Sequence, residues 1–371
     1  MIKKIPLYQP SLSKSEKNNV VSCINENWIS SKGRFIKKFE DNFKKKFKYE
    51  YATVTTNGTT ALHLAVMSLG LKKGDEVIVP NLTYVAPCNA VTYSGAKVVL
   101  ADVNLDTWLI DKNTILKYIT KKTKAILLVH LYGFTYNLDE INYLKRKFKL
   151  KIIEDCAEAI GTKFKNSYVG TIGDISTFSF YGNKTITTGE GGMVVTKNKK
   201  LFDSIVKLKS QGLNITQKNN YYDHEIVGYN YRMTNICSAI GDAQLKKIDL
   251  IIKRKIQINN LYQLYLKDIN VKFQKNIKFG YSTYWLVNIM FSSANLKLKI
   301  ERLLAKKQIE TRPIFKPMNR LPMYQKTDKQ FKNSIDIFSK GISLPSFPDL
   351  KDKQIKYICS IITKYVKKKI K

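Results

Sequence analysis

One lysine in this chain sits where a surface lysine would gain nothing. Lys184 lies in Gly182-Asn183-Lys184-Thr185-Ile186-Thr187-Thr188-Gly189-Glu190-Gly191-Gly192, a loop of small and hydroxylated residues between two apolar runs, 175–180 and 192–196. A lysine held in a partly dry cleft gives up its proton more readily and can act as a nucleophile or form a Schiff base. Upstream, 151–154 reads as a strand that delivers Asp155 to its carboxyl end. A buried carboxylate there needs a cationic or proton-donating partner. Thr55-Thr56-Asn57-Gly58-Thr59-Thr60 offers N–H and OH donors where a strand meets a helix, a site suited to an anion. Tyr84, in Pro80-Asn81-Leu82-Thr83-Tyr84-Val85-Ala86, follows another strand end and offers an apolar plane. Pyridoxal phosphate requires all four parts: an amine for its aldehyde, an acid for its pyridine nitrogen, a cup for its phosphate and a face for its ring. Taken singly, Thr59 is also a plain helix cap, Tyr84 a core aromatic and Asp155 an N-cap. Their conjunction in chain order is what points to the cofactor.

Such parts must be presented by a regular scaffold, and the pattern supplies one. The spacing predicts strands at 51–55, 76–79, 97–101, 125–130 and 151–154, alternating with helices at 59–69, to Tyr93, 111–119 and 138–148. Repeated β-α-β implies a three-layer α/β fold around a mainly parallel sheet, with ligands at the carboxyl ends of its strands. Ahead of it, Ser13-Lys14-Ser15-Glu16 is a capping box for a helix to about Asn27. Phe35, Phe39, Phe43 and Phe47 then recur every fourth residue on one face of a second helix, as core. Past Arg232 the pattern changes to long helices at 234–250 and 251–266, a strand at 285–290, and helices at 296–306 and 354–367. Residues 1–245 are expected to form the large domain, and 246–371 a connecting helix and a smaller C-terminal α/β domain.

The 371 residues carry 64 Lys and Arg against 29 Asp and Glu, a net charge of +35 that first suggests a polyanion partner. Only 7 of the 64 are Arg, however, whereas base-edge and bidentate phosphate recognition favours the guanidinium fork. The lysines are scattered without aromatic interleaving, so the excess reads as solvated surface rather than a nucleic-acid interface. Cys23, Cys88, Cys156, Cys237 and Cys359 include no CxxC pair and read as reduced thiols of a cytoplasmic protein. With His63, His130 and His224 as the only histidines and no Cys/His cluster in sequence, no metal site is expected. No apolar run approaches 18 residues, and the polar start Met1-Ile2-Lys3-Lys4 lacks a leader's apolar core, so no membrane insertion is expected.

The stretches Ile5-Pro6-Leu7-Tyr8-Gln9-Pro10-Ser11-Leu12, Trp28-Ile29-Ser30-Ser31-Lys32-Gly33, Glu154-Asp155-Cys156-Ala157-Glu158-Ala159, Gly182 through Gly192, Gly228-Tyr229-Asn230-Tyr231-Arg232-Met233-Thr234-Asn235-Ile236 and Leu344-Pro345-Ser346-Phe347-Pro348 carry a likeness. The chain resembles, nearly end to end, the DegT-type sugar-nucleotide aminotransferases, a branch of the fold type I pyridoxal-phosphate enzymes. It is most similar to those that aminate GDP-4-keto-6-deoxymannose; relatives acting on UDP- or dTDP-linked keto sugars are the alternative. The resemblance implies that Lys184 is the catalytic residue and covalent anchor of pyridoxal 5'-phosphate, and that Asp155 pairs with the pyridine nitrogen. It further implies that Tyr84 stacks on the ring and that Asn57, Gly58, Thr59 and Ser179 form the phosphate cup. Glu158 would meet the ring oxygen by sharing a proton, because two anions in contact repel. Related chains with His in place of the lysine are dehydratases, so Lys184 implies transamination, with L-glutamate as amino donor. The family forms homodimers with shared active sites, and Asn235 is expected to reach the neighbouring subunit's phosphate. A sugar nucleotide brings a pyrophosphate, for which Arg312 and Lys316 are candidates, with Phe315 and Tyr324 available for stacking.

Overall fold

The computed structural model describes residues 4–214 and 222–370; the polar start at residues 1–3 lies outside them. Seven strands form the main sheet: β1 (Tyr51–Thr55), β2 (Glu76–Pro80), β3 (Lys97–Ala101), β4 (Thr123–Val129), β5 (Lys151–Asp155), β6 (Ile175–Ser179) and β7 (Gly192–Thr196). Their spatial order is β1-β7-β6-β5-β4-β2-β3. β7 runs antiparallel to both its neighbours, and every other pairing is parallel. Val77, Ile78, Val79, Ile152 and Ile153 are fully buried, as expected of strands covered on both faces. The three-layer reading of the sequence holds, with strand ends moved by one or two residues.

The register is what builds the site. Thr55 pairs with Gly192, and Gly192 with Ser179, so the end of β1 and the end of β6 flank the start of β7. One strand further on, Asp155 pairs with Thr177, and Val129 with Asp155. Loops that leave β1, β5 and β6 therefore emerge side by side at one edge.

Helices follow local rules. Ser13 caps α1 (Lys14–Asn25), and Glu16 accepts from the Ser13 N–H at 2.8 Å, completing the capping box. On α2 (Arg34–Phe47) the four phenylalanines are all buried, and two of them, Phe39 and Phe43, meet Phe180 and Phe178 of the lysine-bearing region. Among segments not anticipated are the two-residue strands Lys163–Phe164 and Ser167–Tyr168 and the helix Lys199–Lys209. A two-residue strand is too short to show a period.

A second core lies beyond α3 (Gly58–Ser68), α4 (Asn235–Lys246) and α5 (Ile248–Leu266). It contains an antiparallel sheet of β8 (Lys272–Phe273), β9 (Val287–Met290), β10 (Arg312–Pro313) and β11 (Gly341–Leu344), in the order β8-β9-β11-β10. α6 (Asp352–Ile370) packs against α5 and closes it. Ile5 enters this core and bridges to Ile309, an N-terminal contribution that a boundary at residue 245 does not include. No helix among the described residues is long and apolar enough to cross a membrane.

Lys255 on α5 is 1% exposed. Its Nζ donates to the Ser346 carbonyl at 2.7 Å and lies 5.2 Å from the Tyr8 ring. Burial pulls its ammonium down to about 7. Below that pH it is charged in both states and the fold bears the desolvation cost. Above it, the folded chain sheds the proton while the unfolded chain keeps it to about pH 10.4, so this residue's contribution to stability rises with pH across that window. Urea melts of wild type and Lys255→Met at pH 6 and pH 10 should show the stability difference shifting by about 2–4 kcal/mol in favour of wild type at the higher pH. A difference that does not change between the two would contradict a buried, titrating amine.

Candidate active site

Helix α3 begins where β1 ends, and Asn57 caps it: Asn57 Oδ1 accepts from Thr60 N at 2.9 Å, and Thr60 Oγ1 accepts from Asn57 N at 3.2 Å. The Asn57 Oδ1 is thus engaged in capping the helix. The amides of Gly58 and Thr59 in the first turn have no intrahelical acceptor and remain as donors. A Cβ on Gly58 would fall 2.8 Å from Ser179 Cβ, so the helix start and the end of β6 are in direct apposition. A cradle this close, with open amides and two hydroxyl side chains, fits a phosphate group.

At the end of β5, Asp155 is buried and accepts one hydrogen bond, from Ala157 N at 3.0 Å. Burial pushes its carboxyl up, against the Ala157 amide and the charges of Lys184 and His130. A single amide is little company for a buried carboxylate, and a protonated ring nitrogen would supply the missing charge. Behind it, His130 Nε2 lies 3.0 Å from Glu154 Oε2. His130, Glu154 and Cys156 bring metal-ligand atom types within 4.8 Å of one another. Glu154 also accepts from the amides of Gly170, Ile172 and Gly173, which fill its lone pairs and mark the cluster as structural.

Lys184 Nζ lies 3.4 Å from Glu158 Oε1, with the two side chains 14% and 6% exposed. Glu158 Oε2 accepts from Tyr132 N at 2.7 Å, and burial pushes its carboxyl up, which favours the shared proton expected of it. Three contacts hold the lysine loop from outside: Tyr8 OH donates to the Lys184 carbonyl, Trp285 Nε1 donates to Asn183 O at 2.6 Å, and the Trp285 ring centroid lies 3.9 Å from Lys184 Nζ. The sequence gives no sign of chemistry at Tyr8, Tyr132 or Trp285. Each joins the site from a distant stretch of chain, so spacing carries no signal of it.

Tyr84 is 58% exposed, which excludes a core role, and its ring lies 5.7 Å from that of Phe315. Phe315 in turn stacks on Tyr132 at 5.4 Å. Arg312 and Lys316 are exposed and, among the described residues, form no ion pair. Tyr324 is tied to the helix Ala86–Tyr93 through Asn89 Oδ1 at 2.9 Å and Thr92 Oγ1 at 3.0 Å. Asn235 departs from expectation. Its side chain is buried within its own subunit, donating to Trp28 O at 2.7 Å and accepting from Phe35 N at 3.0 Å. It fixes the turn between α1 and α2, and Gly33 is required there because a Cβ would fall 2.3 Å from Asn235 Cγ. The Asn235 Nδ2 also donates to Cys23 Sγ at 3.2 Å, so both of its hydrogens are engaged within its own subunit.

A lysine at a strand-end loop, a buried acid beside it and an anion cradle at a helix start define a fold type I pyridoxal-phosphate enzyme. A family model described as the DegT/DnrJ/EryC1/StrS aminotransferase family matches residues 10–363. A GDP-perosamine synthase of Escherichia coli O157:H7 is 49% identical over 366 residues, covering 98% of this chain and 99% of that one. Among solved structures, the putative sugar aminotransferase Spr1654 from Streptococcus pneumoniae in its PLP-form superposes with a TM-score of 0.93 at 26% identity, covering 99% of both chains. A mutant GDP-4-keto-6-deoxymannose-3-dehydratase (ColD) with bound GDP-perosamine superposes at 0.89 and 25% identity, covering 96% of this chain and 100% of that one. The chain belongs to the DegT/DnrJ/EryC1/StrS aminotransferase family and is a pyridoxal-phosphate-dependent sugar aminotransferase.

The cradle is directly testable. Gly58→Ala should weaken binding of pyridoxal phosphate, measured by equilibrium dialysis, by about tenfold, equivalent to about 1.4 kcal/mol. Unchanged affinity would remove Gly58 and Ser179 from the phosphate site.

Proposed function

We propose that this enzyme transfers the amino group of L-glutamate to the C4 carbonyl of GDP-4-keto-6-deoxymannose, giving GDP-perosamine and 2-oxoglutarate. The observation that carries this reading is the 49% identity, spanning both chains almost completely, to a GDP-perosamine synthase. The dehydratase with GDP-perosamine bound supports the same sugar nucleotide class.

Bound pyridoxal phosphate supplies an aldehyde that a lysine can take and a ring that accepts electrons. Gly58, Thr59 and Ser179 hold the phosphate by amides and hydroxyls. Asp155 keeps a negative charge against the ring nitrogen, Tyr84 covers the ring and Glu158 shares a proton with the ring oxygen. Lys184 would be the covalent anchor of the cofactor, and its Nζ would be the group that takes up and returns the proton lost from the glutamate α-carbon. In the second half of the cycle the same Nζ moves a proton in the reverse sense while the keto sugar is aminated. Arg312 and Lys316 meet the pyrophosphate, and Phe315 and Tyr324 flank the nucleotide.

The assembly is a homodimer in which each subunit borders the other's site. Supporting it are large apolar side chains left open to solvent at Trp28, Ile29 and Val227. The five free cysteines suit a reducing cytoplasm, and the product suits assembly of a surface glycan such as an O-antigen.

Incubation with L-glutamate and GDP-, UDP- or dTDP-linked 4-keto-6-deoxy sugars should release 2-oxoglutarate fastest with the GDP substrate, and Lys184→Ala should lose all measurable turnover. Turnover restricted to UDP or dTDP sugars would reassign the substrate, and substantial activity in Lys184→Ala would sink the mechanism. Arg312→Ala should raise KM for the nucleotide sugar about tenfold while leaving KM for glutamate unchanged, as loss of one charge-assisted contact implies. Equal KM values would strike Arg312 from the site.

A further inference from the structure

The aromatic side chain that meets the lysine comes from the start of an interior strand of the second sheet. Trp285, just ahead of β9, is 2% exposed. Its ring centroid lies 3.9 Å from Lys184 Nζ, while Glu158 Oε1 lies 3.4 Å from the same nitrogen. The indole Nε1 donates to Asn183 O at 2.6 Å, the carbonyl next to Lys184 in the chain. One side chain therefore touches both the backbone that carries the lysine and the amine at its tip.

The indole is itself fixed. Trp285 N donates to Tyr132 O at 3.0 Å, and the two rings stack at 6.0 Å and 12°. Tyr132 N donates to Glu158 Oε2 at 2.7 Å. Tyr132 thus sets the separation of the two groups that flank the amine, and its own backbone holds a left-handed conformation, φ 57°, to do so.

The two flanks differ in kind. Charge-assisted N–H···O bonds run to about 2.7–2.9 Å, and one at that length would capture the ammonium. At 3.4 Å the Glu158 contact is looser, and a ring face attracts a cation without any acceptor atom to lock it. We infer that Trp285 is a positioning residue for transamination: its ring face is the surface on which the Lys184 amine rests when it is not covalently engaged. Trp285 takes no proton and forms no bond in the reaction. The inference rests on the role of Lys184 proposed above.

Holoenzyme variants Trp285→Phe, which keeps a ring face and deletes the N–H, and Trp285→Leu, which deletes both, separate the two contacts. Single-turnover reaction with L-glutamate, and with L-glutamate deuterated at the α-carbon, reads the proton step. Trp285→Leu should slow the half-reaction about tenfold or more, with KM for glutamate unchanged and a larger deuterium isotope effect; Trp285→Phe should recover most of the rate. A Trp285→Leu enzyme with wild-type rate and isotope effect overturns the inference, and so does an equal loss in both variants. Tryptophan emission of the cofactor-free chain gives a readout that needs no turnover. Lys184→Met should change the emission of the wild-type chain and leave that of Trp285→Phe unaltered; no change in the wild-type background overturns the contact. A wild-type enzyme that fails to react with L-glutamate overturns the transaminase reading instead, and the emission pair then decides the contact by itself.

Discussion

Lys184, Glu158 and Asp155 place one amine and two carboxyl groups in a cleft with little water to screen them. In such a setting unit charges a few ångströms apart interact far more strongly than at a surface. Left unmanaged, the amine would be captured by one acid and the other stranded. The protein divides the acids instead. Asp155 is held by an amide at the end of a strand, Glu158 by the Tyr132 amide, and the lysine contacts Glu158 only loosely. Burial raises both carboxyls, which lessens the excess negative charge until the protonated ring nitrogen of a bound cofactor would balance it.

That arrangement needs groups from several strand ends at once, and the doubly wound sheet supplies them. Parallel strands deliver successive loops to the same edge, and the pairing of Thr55, Gly192 and Ser179 across three strands brings the anion cradle beside the acid. The antiparallel β7 lets the lysine loop turn back at once, so it stays short and its conformation is settled by neighbours. Trp285, at the start of an interior strand of the second sheet, stacks with Tyr132, and Tyr132 with Phe315, in a row of aromatic rings that meets the lysine at Trp285.

Much of this is legible in the sequence. The capping box at Ser13, the phenylalanine face of α2 and the hydrophobic strands are local patterns, and the lysine, acid and cradle lie in loops whose composition is anomalous for surface. What stays hidden is non-local. Tyr8 and Trp285 are ordinary aromatics by sequence and acquire meaning only when the 176 and 102 positions that separate them from their partners in the lysine loop are folded back. Asn235 shows the reverse error: it sits in a motif that invites a ligand role, yet a turn between two distant helices consumes its hydrogen bonds.

The Tyr8 bond to the lysine carbonyl also has a consequence in time. Residue 8 leaves the ribosome early, Lys184 midway and Trp285 late, and the lysine loop is braced by both ends. Contacts that join distant stretches of chain form slowly, because loop closure must precede them. The reactive amine therefore takes its final place only after the last third of the chain has begun to emerge. A half-synthesised subunit exposes no finished site to the aldehydes of the cell.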